Sequence, residues 1–212
     1  MRFFSTLCFS LFTILLVASP SAAQRGRDVE KFDKTDSTQG LVIYSISTTK
    51  PAFSGYYLDI FHLESRKKEK LRLQSFQLPE IKNDSSRVYY HAVMLPSGDY
   101  KIYGWGMEYN YGSGEKTFFP MGNFGLPFTV FGGSINYLGD YLGTTTLGKS
   151  VIGLKVANGG YFIVSNRYEE DYKIIADKWP SLDLTGILNS MPDFSENKPI
   201  RSLMLLKGIN IP

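Results

Sequence analysis

The stretch LPFTVFGGSINYLGD, residues 126–140, decides how the strand-rich middle of the chain is connected. Gly132 and Gly133 separate two runs of strand-forming residues, and the tight turns of β-hairpins need residues that tolerate positive φ. A phosphate-binding loop is the alternative, but the lysine and the following helix of such a loop are missing. The stretch therefore predicts a hairpin, with Phe128 and Val130 on one face before the turn.

Strand-like runs extend on both sides of this stretch, bounded by turn residues such as Gly, Pro, Asn and Ser. These runs cover 41–48, 56–63, 71–78, 87–94, 100–109, 127–131, 134–142, 151–157 and 161–164. Many short strands separated by turns predict a mainly β fold, an antiparallel β-sandwich over 40–165. An outer-membrane barrel is the alternative, and strands with apolar residues on both faces weigh against it.

A helical pattern follows the last of these runs. Asn166 and Glu169 have the spacing of a capping box, and a helix over 167–179 would begin there. Its apolar stripe consists of Tyr168, Tyr172, Ile175 and Trp179. Residues three and four apart lie on one side of a helix, so this side is predicted to pack on the sheet.

The first residues indicate export. Arg2 is followed by an apolar run over 6–18 and by the small residues Ser21-Ala22-Ala23, which are the three parts of a cleaved signal peptide. The run is shorter than the roughly 18–20 residues of a spanning helix. Cys8 is the one cysteine and lies too early for a lipid anchor. We expect cleavage near Ala23, a periplasmic or secreted protein, and no transmembrane segment or disulfide in the mature chain.

The 212 residues are therefore divided into four segments. They are a signal peptide (1–23), a flexible segment leading into the sandwich (24–39), the β-sandwich (40–165), and a helical extension with a C-terminal tail (166–212). The extension is predicted to belong to the same domain as the sandwich, because one core of this size is enough for the chain. A second short helix over 183–190 and a last strand over 202–206 are expected within it.

The charge of the chain gives little indication of a polyanionic partner. Lys and Arg number 23 against 20 Asp and Glu, so neither nucleic acid nor an anionic surface is implied. The densest basic run, 66–70 followed by Arg72, has two interpretations. A solvated hairpin tip is favoured over a polyanion-binding patch, because the run lies between two strand-like segments.

The sequence contains few groups for catalysis. His62 and His91 are the two histidines, each within a predicted strand, and HExxH, CxxC and G-x-S-x-G patterns are absent. No catalytic residue, metal site or cofactor is predicted, and each histidine is expected to be a hydrogen-bonded or exposed strand residue. Paired carboxylates of a glycoside hydrolase stay open, since their separation is a property of the fold.

Aromatic side chains are dense between residues 103 and 131. Tyr103, Trp105, Tyr109 and Tyr111 share one strand face by period two. Such a row could bind sugar rings or a peptide, because Tyr and Trp combine apolar area with a polar tip. The stronger interpretation is that the row fills one side of the core, which Met107 in the same row favours. The long loop over 111–126 is the expected recognition element.

Two short patterns carry a resemblance to a known group of proteins. Leu95-Pro96-Ser97-Gly98-Asp99-Tyr100 is an L-P-x-G-x-Y pattern. The second pattern consists of Phe128, Val130, Gly132 or Gly133, Ile135, Tyr137, Leu138 and Gly139. The chain resembles uncharacterised exported bacterial β-sandwich proteins, immunoglobulin-like or transthyretin-like in character. The resemblance implies structural roles for Tyr100, Gly132 and Gly133, with Tyr100 bonding back to upstream backbone. It implies no catalytic residues.

These observations predict a non-enzymatic binding or accessory protein of the bacterial envelope. The first alternative is a carbohydrate- or peptide-binding module that uses the aromatic face. The second is a hydrolase acting on cell-wall material. Expected partners are a cell-wall glycan, a peptide or another envelope protein, and nucleic acid is not expected.

Overall fold

A computed structural model describes residues 29, 31–49, 54–73, 77–111, 114–118, 125–149, 153, 155–192 and 204–206 of the chain. Over 109–111, 114–118, 155–159 and 204–206 the description is of the backbone. The predicted signal peptide lies outside the described residues, as does half of the expected recognition loop.

The prediction of a mainly β chain is confirmed. The strands are β1 (Gln39–Thr49), β2 (Gly55–His62), β3 (Lys68–Arg72), β4 (Ile81–Lys82), β5 (Ser86–Pro96), β6 (Gly98–Tyr111), β7 (Gly114–Phe118), β8 (Leu126–Val130), β9 (Ile135–Lys149), β10 (Lys155–Ser165), β11 (Leu188–Asn189) and β12 (Met204–Leu206). Helix α1 spans Tyr168–Lys178. In the described part of the chain, no helix has the length and apolar character needed to span a membrane.

The strands form two largely antiparallel sheets. Sheet A has the order β12-β10-β9-β1-β5-β4, with β11 also on β9. Sheet B has the order β3-β2-β6-β7, with β8 also on β6. Sheet A departs from the predicted antiparallel pattern because β1 and β9 are parallel neighbours. β12 falls within the last strand expected over 202–206 and pairs with β10.

A first hydrophobic core lies between the two sheets, and a second lies between sheet A and α1. Val42, Tyr44 and Ile46 of β1 belong to the first core, whereas Leu41 and Ile43 belong to the second. Successive side chains of a strand point to opposite faces, so this central strand is buried on both sides. Burial on both sides explains why the sequence of this strand has apolar residues on both faces.

The helix prediction was correct in place but wrong in two details. The N-cap is Arg167 and not Asn166, whose Oδ1 accepts from the backbone N of Tyr168 at 3.2 Å. Tyr172 is exposed, and Asp171 beside it is fully buried. Ile175 and Trp179 enter the second core as predicted.

The predicted hairpin at Gly132-Gly133 is wrong. β8 pairs with β6 in sheet B, and β9 pairs with β1 and β10 in sheet A, so the two glycines connect the two sheets. Gly133 has φ +66, and a Cβ there would lie 2.5 Å from the carbonyl oxygen of Lys34. A Cβ on Gly132 would collide with the backbone of Ser37. The glycines are needed because the segment before β1 lies directly against the turn.

That leading segment makes contacts the sequence did not predict. Phe32 packs against the second core, and Nζ of Lys34 lies 2.6 Å from a carboxylate oxygen of Asp183. The backbone N of Gly133 donates to the carbonyl of Gln39 at 2.8 Å. These contacts attach the start of the fold to the crossover between the sheets.

Three further local predictions need correction. Of the strand expected over 71–78, residues 74–76 lie outside the described part, and the strand that the structure describes there is β3, which begins and ends earlier. The cationic side chains of β3 alternate with inward-facing ones. The break expected at 158–160 is a bulge within the continuous strand β10. The second helix expected over 183–190 is absent from those described residues, where Gly186 has φ +73, a backbone angle outside the helical range.

Candidate functional site

The predicted aromatic row is divided between the two faces of sheet B. Trp105 is 2% exposed in the first core, where its ring meets Phe162 edge-on at 5.5 Å. Tyr103 is half-buried on the other face, against Phe61. A β-bulge causes this, because Asp59 pairs with Gly104 and the next residue of β2 pairs with Ile102, leaving Tyr103 as the extra residue. The core interpretation is therefore right for Trp105.

The other two members of the row, Tyr109 and Tyr111, belong to β6, but the structure describes only their backbone and not their side chains.

The outer face of sheet B carries aromatic rings covered by cationic side chains, and we call it the basic aromatic face. Its rings are Tyr57, Phe61 and Tyr103, and its cations are Lys68, Lys70, Arg72 and Lys101. Lys70 Nζ lies 3.7 Å from the centre of the Tyr57 ring, and Arg72 Cζ lies 5.3 Å from it. A Cβ on Gly106 would collide with the Tyr57 ring, so glycine allows this ring to lie across β6.

The cations of this face differ in their partners. Lys70 Nζ lies 3.3 Å from Oδ1 of Asp59, and Arg72 Nη2 lies 3.9 Å from Oε1 of Glu108. Lys68 and Lys101 have no ion pair among the described residues. Both side chains are exposed to solvent.

The LPSGDY turn forms a corner between β5 in sheet A and β6 in sheet B. The Tyr100 hydroxyl donates to the carbonyl oxygen of Pro96 at 2.9 Å, the contact to upstream backbone that was expected of this tyrosine. The His62 ring packs against the Tyr100 ring in a tilted arrangement, with ring centres 4.6 Å apart. Its Nδ1 accepts from the backbone N of Ser65 at 3.1 Å, and its Nε2 lies 3.3 Å from the carbonyl oxygen of Ser97. Both ring nitrogens of His62 are therefore engaged in holding the corner.

His91 lies in the interior of the fold. It is 5% exposed and stacks on Tyr44 of the neighbouring strand at 5.0 Å. Burial, followed by the charge of Lys178, lowers the pKa of His91 to about 3. The imidazole is neutral at physiological pH, and packing accounts for its position.

A buried acidic cluster lies on the face of sheet A that α1 covers. Asp140 reaches this face through a bulge in β9, where Tyr137 pairs with Ile43 and Asp140 pairs with Ser45. The bulge contains Gly139 at φ +100. Without the extra residue, position 140 would face the first core, because strand side chains alternate.

Hydroxyl groups surround both carboxylates of this cluster. Oδ1 of Asp140 accepts from the hydroxyls of Ser45 and Ser47, each at 2.7 Å. Asp171 accepts from the hydroxyl of Tyr90 on one oxygen and of Tyr137 on the other, each at 2.7 Å. The sequence placed Asp171 in the first turn of a helix, and nothing local signals that it points inward.

Arg167 lies between the two carboxylates. Its Nη1 is 4.0 Å from Oδ2 of Asp140, and its Nε is 3.8 Å from Oδ1 of Asp171. Burial raises the pKa of Asp140 and of Asp171 above the usual value, although the hydroxyl hydrogen bonds and Arg167 act in the opposite direction. Within the described ranges, no three His, Cys, Asp or Glu side chains gather as they would around a metal ion.

Comparison with known proteins gives one weak likeness. No family model and no curated protein matches the chain. Among solved structures, it is similar to a leucine-rich repeat protein from Bacteroides thetaiotaomicron VPI-5482, with 16% identity and a TM-score of 0.33. The match covers 49% of this chain and 13% of that protein.

Proposed function

We propose that this chain is an exported, non-enzymatic binding or accessory protein of the bacterial envelope, and that it binds through the basic aromatic face. We further infer an immunoglobulin-like or transthyretin-like β-sandwich with residues 166–212 as its C-terminal extension. The corner at Tyr100 supports that type of fold, because its hydroxyl bonds to Pro96 as in such modules.

The observation that carries the binding role is the outer face of sheet B. One buried ring, Tyr57, and two half-buried rings, Phe61 and Tyr103, lie there beneath lysine and arginine side chains, and no helix of the described chain covers them. The buried titratable groups support a non-enzymatic role, since His62 and Asp171 are each engaged in structural hydrogen bonds. A face that binds without titrating side chains needs only shape, apolar area and fixed charge.

Two measurements test this proposal. N-terminal sequencing of the exported protein should find a start near Gln24, and an uncut chain in the membrane would contradict export. Cell-wall fragments, oligosaccharides and peptides should then be titrated against wild type and Tyr103→Ala. Loss of a central aromatic anchor should weaken binding by about 1–2 kcal/mol. Tyr172→Ala removes an exposed tyrosine from α1 and is the matched control; an equal loss there would contradict the proposed face.

A hydrolase acting on cell-wall material is the second candidate. Asp140 favours it, because burial raises the pKa of this carboxyl group and a general acid needs a raised pKa. Turnover of cell-wall fragments by wild type, lost in Asp140→Asn, would support this candidate over the binding role.

A further inference from the structure

Two exposed lysines of the basic aromatic face lie around one pair of rings. In the sheet register, Phe61 of β2 lies directly between Lys68 of β3 and Lys101 of β6. Lys101 Nζ is 5.3 Å from the centre of the Phe61 ring, and Lys68 Nζ is 5.6 Å from that of Tyr103. Neighbouring strands are about 4.8 Å apart, so the two lysine backbones lie about 10 Å apart on either side of the rings.

The two rings meet almost at a right angle. Their centres are 6.3 Å apart and their planes are inclined by 84°. They form a floor and a wall rather than a flat platform, and this shape suits one compact ring unit of a ligand. Phe61 offers only apolar surface, whereas Tyr103 adds a hydroxyl, the combination that suits the C–H face and the hydroxyl groups of a sugar.

We propose that Phe61, Tyr103, Lys68 and Lys101 form a subsite for a carboxylate-bearing sugar unit of an acidic polysaccharide; this rests on the proposed function and specifies its ligand. The sugar ring lies against the aromatic pair, and its carboxylate accepts hydrogen bonds from the two lysines. In the unliganded protein the two ammonium groups lie over these rings, so binding moves them from the ring faces to the carboxylate as the sugar ring takes their place.

The neighbouring cations extend this subsite along the edge of sheet B. Lys68, Lys70 and Arg72 alternate on β3, and cationic side chains two residues apart on a strand are about 7 Å apart. A polymer that repeats its carboxylates can meet several of them in succession. The basic run thus has a function beyond that of a solvated hairpin tip.

A structural explanation of these lysines makes a different prediction. β3 is the edge strand of sheet B, and lysines on edge strands prevent pairing with other chains. If preventing such pairing were the only role of these lysines, replacing them would leave ligand affinity unchanged. The charges would then matter for aggregation alone.

The test measures binding of the exported full-length mature protein to polygalacturonate by titration calorimetry. Its methyl ester, which has the same sugar backbone without the charges, is the matched ligand. We expect binding to polygalacturonate that weakens with added salt, and at least tenfold weaker binding to the ester. The double variant Lys68→Gln/Lys101→Gln and the single variant Phe61→Ala should each weaken binding at least tenfold, after circular dichroism confirms that they fold.

The double variant Lys82→Gln/Lys173→Gln makes the same change in net charge at exposed positions of β4 and α1. Its affinity should stay within twofold of wild type, and an equal loss there would overturn the subsite. Equal binding of the methyl ester would overturn the acidic ligand and leave the proposed binding function intact. Binding only to polyglutamate or to anionic vesicles would overturn the sugar ligand. Failure of polygalacturonate and of every envelope fragment to bind would defeat both proposals.

Discussion

The outer faces of the two sheets use tyrosines and charges in opposite ways. On sheet A, the hydroxyls of Tyr90 and Tyr137 donate to Asp171 of α1, whose side chain is fully buried between the helix and the sheet. On sheet B, Tyr57 lies beneath Lys70, whose side chain is 42% exposed. The covered face satisfies its charges inside the protein, whereas the open face keeps its charges in contact with solvent.

This difference suggests that the covered face of sheet A serves the stability of the fold and that the open face of sheet B serves recognition. A buried carboxylate is tolerated only with hydrogen bonds and opposite charge, so removing one member of its cluster leaves the others unsatisfied. Exposed ion pairs and cation–π contacts contribute little to the folded state. Substitutions on sheet A should therefore change the free energy of unfolding, and substitutions on sheet B should change binding.

The strongest test of the comparison is Asp171→Ala. Two buried tyrosine hydroxyls lose their acceptor and Arg167 loses one ion-pair partner, so we expect a loss of about 3–5 kcal/mol in the free energy of unfolding. Asp177→Ala, at an exposed position of the same helix, should change it by less than about 0.5 kcal/mol. Chemical denaturation measures both. Equal stability of the two variants would break the comparison.

Acid sensitivity should come from the interior of the fold and not from the exposed charges of sheet B. The pKa of His91 is about 3 in the folded protein, below the unfolded value of about 6.5. Its contribution is present above pH 6.5 and is lost as the pH falls toward 3. Between pH 7 and pH 4.5 this loss is about 2–3 kcal/mol. His91→Phe keeps a ring against Tyr44 and should remove the loss; an unchanged difference between pH 7 and 4.5 would contradict the assignment.

The bulge that places Asp140 in the covered cluster can be tested at Gly139. An alanine there must adopt φ +100 and would lie 3.2 Å from Cγ of Met191, so we expect a loss of about 2 kcal/mol. Gly186→Ala has φ +73 with nothing within 4 Å and isolates the backbone strain. Thermal unfolding of the two variants compares the effects. A loss at Gly186 as large as that at Gly139 would show that the cost at Gly139 is backbone strain alone and that the contacts around the bulge add nothing.

The smallest effect on stability is expected on the open face. Lys70→Gln removes one cation–π contact and one partly exposed ion pair, so the free energy of unfolding should fall by no more than about 1 kcal/mol. Chemical denaturation of wild type and Lys70→Gln at low and high salt measures this. A loss as large as that of Asp171→Ala would mean that the open face also stabilises the fold.

Local sequence patterns determined the elements of this protein. Short β-rich runs predicted β1, β2, β5, β6 and β8 to within a few residues, because alternation of side chains and turn residues act within a segment. The helix was predicted over 167–179 and spans Tyr168–Lys178, since its apolar spacing and its terminating proline are also local. The position of Tyr100 at a corner was implied by the resemblance of six consecutive residues to the turn of immunoglobulin-like and transthyretin-like modules.

Only the tertiary structure decided how these elements meet. Gly132 and Gly133 suit a hairpin equally well, and the segment around Lys34 that lies against them makes the turn a crossover between sheets. One extra residue at Tyr103 moved a predicted core row onto both faces of sheet B, and no period in the sequence marks such a bulge. Asp171 resembles a favourable helix-start charge, but Tyr90 and Tyr137 from two distant strands bury it. Pairing, bulges and burial depend on distant segments, so local patterns do not contain them.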